Sequence, residues 1–226
     1  MKKLISASLM CADLMNLQTS IDEIADSGVD LLHIDIMDGS FVPNITLGFD
    51  LVNAVKNYTD IPLDIHMMVN EPLRFIDRMN LDKNDIVSVH YESDIHIHRT
   101  LEAIKNKGIK AGLALNPQTP VNCLECLIDY IDMALIMTVS PGFAGQKMFS
   151  GAHIKTVSAR QFLNNLGRAD IPIEVDGNIS PENGCKLSVY GADIFVLGTS
   201  SLFIKGKDMK QSAAEFRAAL KEFRYV

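Results

Sequence analysis

The chain has 226 residues, 47% of them hydrophobic and 22% charged, with a formal net charge of −7. That composition excludes a disordered or collagen-like chain, and no apolar run approaches the ~18 residues that a membrane span needs. The acidic balance leaves no basic footprint for nucleic acid or anionic lipid.

Short apolar or β-branched runs alternate with helix-like stretches along the whole chain. The first strand is expected at Leu4–Leu9, and its turn, Met10-Cys11-Ala12-Asp13, lacks the glycines of a dinucleotide-binding turn. Ser6, Ser8 and Asp13 interrupt any signal-peptide core behind Lys2-Lys3, so a cytoplasmic protein is expected. A helix over Asn16–Ser27 leads to a second strand, Leu31–Met37. Side chains alternate faces along a strand, so His33, Asp35 and Met37 share one face and Ile34 and Ile36 the other. After a helix at Asp50–Tyr58, the third strand, Leu63–Val69, puts Asp64, His66 and Met68 on one face in the same way.

The middle of the chain reads as helix Pro72–Met79, strand Ile86–Tyr91, helix His96–Lys107, strand Lys110–Leu115 and helix Val121–Ile128. Cys123-Leu124-Glu125-Cys126 has the spacing of half a zinc ribbon or a redox pair. No second such pair exists among the four cysteines (the others are Cys11 and Cys185), and buried helical thiols are the simpler reading. The sixth strand, Ala134–Val139, runs into Ser140-Pro141-Gly142-Phe143-Ala144-Gly145-Gln146, and a helix follows at Gly151–Asn165. The seventh, Ile173–Val175, ends on Asp176-Gly177-Asn178, with a helix at Pro181–Tyr190. The eighth, Ile194–Gly198, runs into Thr199-Ser200-Ser201, with a last helix at Met209–Phe223.

Repeated strand–helix units imply a parallel sheet, because a parallel crossover needs a helix-length connection. Eight such units fit a closed barrel better than an open sheet, so the expected fold is α/β, a single (β/α)8 TIM barrel over residues 1–226. Active sites of such barrels form at the C-terminal ends of the strands. Two histidines and two aspartates from three strands can converge there on one divalent ion, and imidazole with carboxylate suits Zn, Fe, Mn or Co. A single histidine on a strand is more often a satisfied core residue, and the repeated inward parity is what raises the metal reading. Glycine turns after strands six, seven and eight let backbone N–H groups approach an anion, although any one of them is an ordinary tight turn. No candidate strand ends in an inward lysine of the kind a metal-free lyase of this architecture would use.

The motifs Ser6-Ala7-Ser8-Leu9, His33-Ile34-Asp35-Ile36-Met37-Asp38-Gly39-Ser40-Phe41-Val42-Pro43-Asn44 and Asp64-Ile65-His66-Met67-Met68-Val69 belong together. With Pro141–Gln146, Glu174-Val175-Asp176-Gly177 and Gly198-Thr199-Ser200, they make the chain resemble the ribulose-phosphate 3-epimerase family over nearly its whole length. The resemblance implies a metal-dependent barrel that inverts C3 of a small phosphorylated ketose. One divalent transition metal per chain would be held by His33, Asp35, His66 and Asp176, with Asp35 and Asp176 also the acid–base pair. Ser8 and His66 would touch substrate, and Met37, Met68 and Met137 would line the site. Gly142, Phe143, Ala144, Gly145, Gly177, Asn178, Gly198, Thr199 and Ser200 would hold the phosphate end. Leu-Met-Cys after Ser8, Gly-Phe-Ala-Gly-Gln and Gly-Thr-Ser are more similar to the allulose-6-phosphate 3-epimerase branch. The resemblance therefore favours D-allulose 6-phosphate as substrate, with D-ribulose 5-phosphate as the alternative and a non-catalytic sugar-phosphate-binding barrel as a third reading. A homo-oligomer is compatible with all three.

Overall fold

The computed structural model describes residues 2–222. Eight parallel strands close on themselves in sequence order: β1 (Leu4–Ser8), β2 (Leu31–Met37), β3 (Leu63–Met68), β4 (Ile86–His90), β5 (Lys110–Leu115), β6 (Met133–Met137), β7 (Ile173–Asp176) and β8 (Ile194–Leu197). The ring is sealed where β1 pairs with β8, Ser6 lying beside Val196. The expected (β/α)8 barrel is therefore formed. Among the described residues, five α-helices lie in its connections, α1 (Leu17–Asp26), α2 (Phe49–Tyr58), α3 (Ile97–Asn106), α4 (Ala152–Asn165) and α5 (Pro181–Val189), and a sixth, α6 (Met209–Glu222), follows β8. Phe223, the expected end of the last helix, lies outside the described residues. Among those described, no helix is long and apolar enough to cross a membrane.

Two expected α-helices are 3-10 segments instead, Pro72–Arg78 and Val121–Tyr130. A 3-10 helix repeats every three residues. In the second segment the buried residues are Leu124 and Leu127, three apart, so the apolar stripe follows the tighter winding. The first opens on Glu71 in the left-handed region (φ 51°) and on Pro72, a sharp entry into a short piece.

The outward side chains of the strands, among them Ile34, Ile36, Ile65, Val87, Val89 and Val175, form the main core with the surrounding helices. Inside the barrel the residues stack in layers from alternate strands, as the strand stagger of this architecture requires. The floor is apolar: Leu31, Ile86, Met133 and Ile194, from β2, β4, β6 and β8, pack as one cluster. The next layer, from the odd strands, carries Ser6, Asp64 and Glu174, all fully buried. Polar groups thus begin one layer above the floor and continue up to the rim.

Candidate active site

Strand register sets the polar residues side by side. His33 lies beside Asp64, and Asp35 beside His66. In the lower tier, the fully buried His33 donates from Nδ1 to Asp64 Oδ2 at 2.7 Å, and the Ser6 hydroxyl donates to the same oxygen at 2.8 Å. That bond turns His33 Nε2 upward, where it has no hydrogen-bond partner. Asp35 Oδ1 lies 3.3 Å from it, but their alignment makes no hydrogen bond. His66 Nδ1 lies 3.1 Å from Asp35 Oδ1 and 3.8 Å from Asp176 Oδ2.

His33, Asp35, His66 and Asp176 thus each offer one ligand atom within 4.8 Å of the others. A buried imidazole nitrogen left without a partner is costly in an apolar surround and natural beside a cation. Two nitrogens and two carboxylate oxygens suit a borderline divalent transition ion, and the residues fit that group. His33, Asp64 and Glu174 also lie within the same mutual distance. That second trio sits on the closed side, and a hydrogen bond already occupies Asp64, so we read it as support for the first.

The two aspartates are shifted in opposite directions. Burial alone would push Asp35 up, but the His33 and His66 imidazoles hold its carboxyl far below the usual carboxylate range. Asp176 is held up by burial and then by the Asp35 charge, against the pull of His33. Glu174 is pushed well up by burial and the charge of Asp64, and neither of its carboxyl oxygens has a hydrogen-bond partner. Burial likewise holds the His90 imidazole down at about 4, leaving that ring neutral. His33 is the opposite case: burial would lower it, and the nearby Asp64 and Asp35 charges raise it well above 6.5. A cation taking Nε2 must therefore displace a proton. Divalent-ion affinity is expected to rise with pH, and calorimetry in buffers of different ionisation enthalpy should show proton release.

Above these groups opens a pocket lined by Ser8, Asp35, Asp176, the three expected methionines Met37, Met68 and Met137, and the glycine turns after β6, β7 and β8. Gly142 to Gly145, Gly177, Asn178 and Gly198 to Ser200 all border it, as does Phe143. His66 is fully buried beneath and does not line the pocket. Ser8 donates to Asp35 Oδ2 at 3.3 Å.

The rim is braced by residues whose role was not apparent from the sequence. Asp38 accepts from the backbone N–H groups of Ser40, Phe41 and Asn70, tying the loops after β2 and β3 together. Asn44 donates to the Gly142 carbonyl at 2.8 Å, and Thr46 to that of Asp35 at 2.7 Å. The Thr138 hydroxyl donates to the carbonyls of Asp176 and Gly177. Much of the long motif after β2 is therefore scaffolding for the loop that faces it. Asp64 and Glu174 had a legible signal, since each lies two residues before a candidate ligand, His66 or Asp176, on the same face.

Asn178 has φ 54°, a left-handed conformation that asparagine tolerates better than most residues, and it donates to Ser200 at 3.3 Å. Gly177 is more constrained. With φ +112°, an added Cβ would stand 2.5 Å from Val139 Cγ2. Gly177→Ala is expected to cost about 2–4 kcal/mol by combined strain and overpacking, read as a lower denaturation midpoint, and to raise KM for a phosphorylated ligand.

Cys123 and Cys126 belong to neither ligand cluster. Burial and the Glu92 charge push the Cys123 thiol up to about 11, the opposite of an activated redox thiol.

A closed barrel that opens two carboxylates and three glycine turns onto one pocket, above two buried imidazoles, has the architecture of an enzyme site. Residues 4–203 match the family model described as the ribulose-phosphate 3 epimerase family. The chain is 40% identical over 216 residues to ribulose-phosphate 3-epimerase of Bacillus subtilis, covering 95% of this chain and 98% of that one. It is 40% identical over 199 residues to the chloroplastic ribulose-5-phosphate-3-epimerase of Arabidopsis thaliana, covering 87% and 70%. Phosphoribosyl anthranilate isomerase from Thermococcus kodakaraensis superposes with a TM-score of 0.64 at 13% identity, over 97% and 99% of the two chains, a likeness of fold. The chain belongs to the ribulose-phosphate 3-epimerase family and is an isomerase.

Proposed function

We propose that the protein inverts C3 of D-ribulose 5-phosphate, interconverting it with D-xylulose 5-phosphate. The expectation of D-allulose 6-phosphate gives way, because the relatives reported above carry the pentulose name. Of the variants that suggested the hexulose, Ala144 adds one methyl group at an exposed position of the pocket lining.

The observation that carries the reading is the pair Asp35 and Asp176, brought to one pocket from β2 and β7, with one carboxyl held low and the other raised. The proton at C3 is acidified by the adjacent C2 carbonyl. Ionised Asp35 removes it from one face, leaving a planar enediolate, and protonated Asp176 delivers a proton to the other face. In the reverse direction the roles exchange. His33, Asp35, His66 and Asp176 would hold one divalent transition ion, which supplies Lewis-acid stabilisation of the charge that develops on the substrate oxygens. Ser8 orients Asp35 and offers a hydroxyl to the substrate. The methionines wall the site with soft side chains that carry no transferable proton. The glycine turns would take the phosphate on backbone N–H groups, anchoring the far end of the sugar so that C3 sits between the two carboxylates. We infer that the barrel works as one cytoplasmic domain.

Turnover of D-ribulose 5-phosphate and D-allulose 6-phosphate, followed by C3 inversion, tests the reading. A higher kcat/KM is expected for the pentulose phosphate. Preference for the hexulose phosphate overturns the substrate assignment, and inversion of neither overturns the catalytic one.

A further inference from the structure

His66 reaches beyond the ligand cluster. Its Nε2 lies 2.8 Å from Nε2 of His90 at the end of β4, and both rings are fully buried. His90 Nδ1 lies 3.3 Å from Glu92 Oε2. The other carboxylate oxygen of Glu92 accepts the Asn116 backbone N–H at 3.0 Å and a short hydrogen bond from the Thr119 hydroxyl. The Phe41 ring lies against the His90 ring, with centroids 4.7 Å apart and the planes tilted by 44°. The reaction described above uses neither His90 nor Glu92.

With His66 Nδ1 given to a divalent ion, the proton count along the line fixes its direction. Two ring nitrogens at hydrogen-bond distance share one proton, so one donates and the other accepts. A carboxylate has only lone pairs to offer, so the proton between His90 and Glu92 is the one on His90 Nδ1. A neutral His90 then has a bare Nε2, which accepts from the Nε2–H of His66. His66 Nδ1 lies within hydrogen-bond distance of Asp35 Oδ1, 3.1 Å away, and a divalent ion bound there takes the place of a proton on that nitrogen while the proton on Nε2 stays. The reversed order would set the His90 Nδ1 lone pair against the Glu92 carboxylate. It would also place a proton on His66 where a ligand needs a lone pair.

We propose that His90 and Glu92 are positioning residues that fix the tautomer of His66 and so present its Nδ1 to the divalent ion. The inference rests on the reading of His66 as a ligand. It gives His66 an outer partner as Asp64 gives one to His33, but through a second imidazole rather than directly.

Zn²⁺ affinity, measured by competition with a chromophoric chelator, tests it. In Glu92→Gln the amide oxygen can keep the Asn116 and Thr119 contacts while the NH2 donates to His90 Nδ1. Every hydrogen bond on the line then reverses, and a proton arrives on His66 Nδ1. Affinity is expected to fall on the order of 10- to 100-fold. His90→Gln gives His66 Nε2–H a carbonyl acceptor that does not depend on Glu92. Adding Glu92→Gln in that background is therefore expected to change affinity by less than about twofold.

Nitrogen-15 spectra of Zn²⁺-loaded wild-type protein should place the ring protons on Nδ1 of His90 and Nε2 of His66. This measurement decides the matter even where a variant does not fold. Wild-type affinity in Glu92→Gln, the same loss in both backgrounds, or a proton on His90 Nε2 overturns the proposal. Wild-type protein that fails to bind Zn²⁺ overturns the ligand assignment itself, so the two failures are distinguishable.

Discussion

Asp176→Asn is expected to lower epimerisation on the order of 100- to 10,000-fold, the usual weight of a positioned acid or base, while leaving one half of the chemistry intact. Asparagine keeps the shape of the side chain but neither takes nor gives the proton. Asp35, whose carboxyl is held low by His33 and His66, can still remove the C3 proton from the epimer presented to it. In deuterated water that epimer should slowly gain deuterium at C3 without inverting. The opposite epimer, whose C3–H faces position 176, should neither exchange nor invert. Asp35→Asn should show the mirror-image pattern. The wild-type product should carry solvent deuterium at C3, because the delivering carboxyl exchanges between turnovers. Each aspartate is also an assigned metal ligand, so both variants must be compared at matched metal content. A metal-loaded variant that inverts C3 near the wild-type rate shows that its missing aspartate is not a required base.

How far the sequence discloses this site depends on what kind of contact each residue makes. The alternation His33, Asp35, Met37 and Asp64, His66, Met68 needs only the two-residue period of a strand, and the barrel preserves it without exception. The eight strand–helix units are legible for the same reason, since each declares itself over a handful of neighbours. Contacts between distant segments are not legible. Nothing local says that Asn44 will reach the Gly142 carbonyl, or that Thr138 will clamp the end of β7. The line from His66 through His90 to Glu92 is hidden too, because it runs sideways from β3 to β4 and then to the loops after β4 and β5. The winding of Pro72–Arg78 and Val121–Tyr130 was misread because over ten residues or fewer an apolar stripe fits three or 3.6 residues per turn almost equally well.

Stripping divalent metal from the protein is expected to reduce turnover by more than about 1,000-fold, a larger loss than removing one oxyanion hydrogen bond gives. Removing the C3 proton leaves negative charge on the substrate oxygens, and the pocket offers little else to meet it. No lysine or arginine stands among the residues that line it, and Ser8 brings only a neutral hydroxyl, 3.3 Å from Asp35. The same shortage of cationic groups explains why the phosphate end must rely on backbone N–H groups of the glycine turns. Two carboxylates set close together in a buried site also repel, and the Asp35 charge adds to burial in raising the Asp176 carboxyl. A bound cation relieves it, so stability should follow metal as well. An ion present at about 100 times its Kd adds roughly 2.7 kcal/mol. The stripped protein should therefore melt at a lower temperature while keeping its secondary structure, and graded return of Zn²⁺, Co²⁺, Mn²⁺ or Fe²⁺ should restore both Tm and rate. The order in which these ions restore turnover identifies the one that suits two imidazoles and two carboxylates here. Undiminished turnover in protein shown by elemental analysis to be metal-free would remove the cation from the reaction and leave the unpartnered Nε2 of His33 to be explained another way.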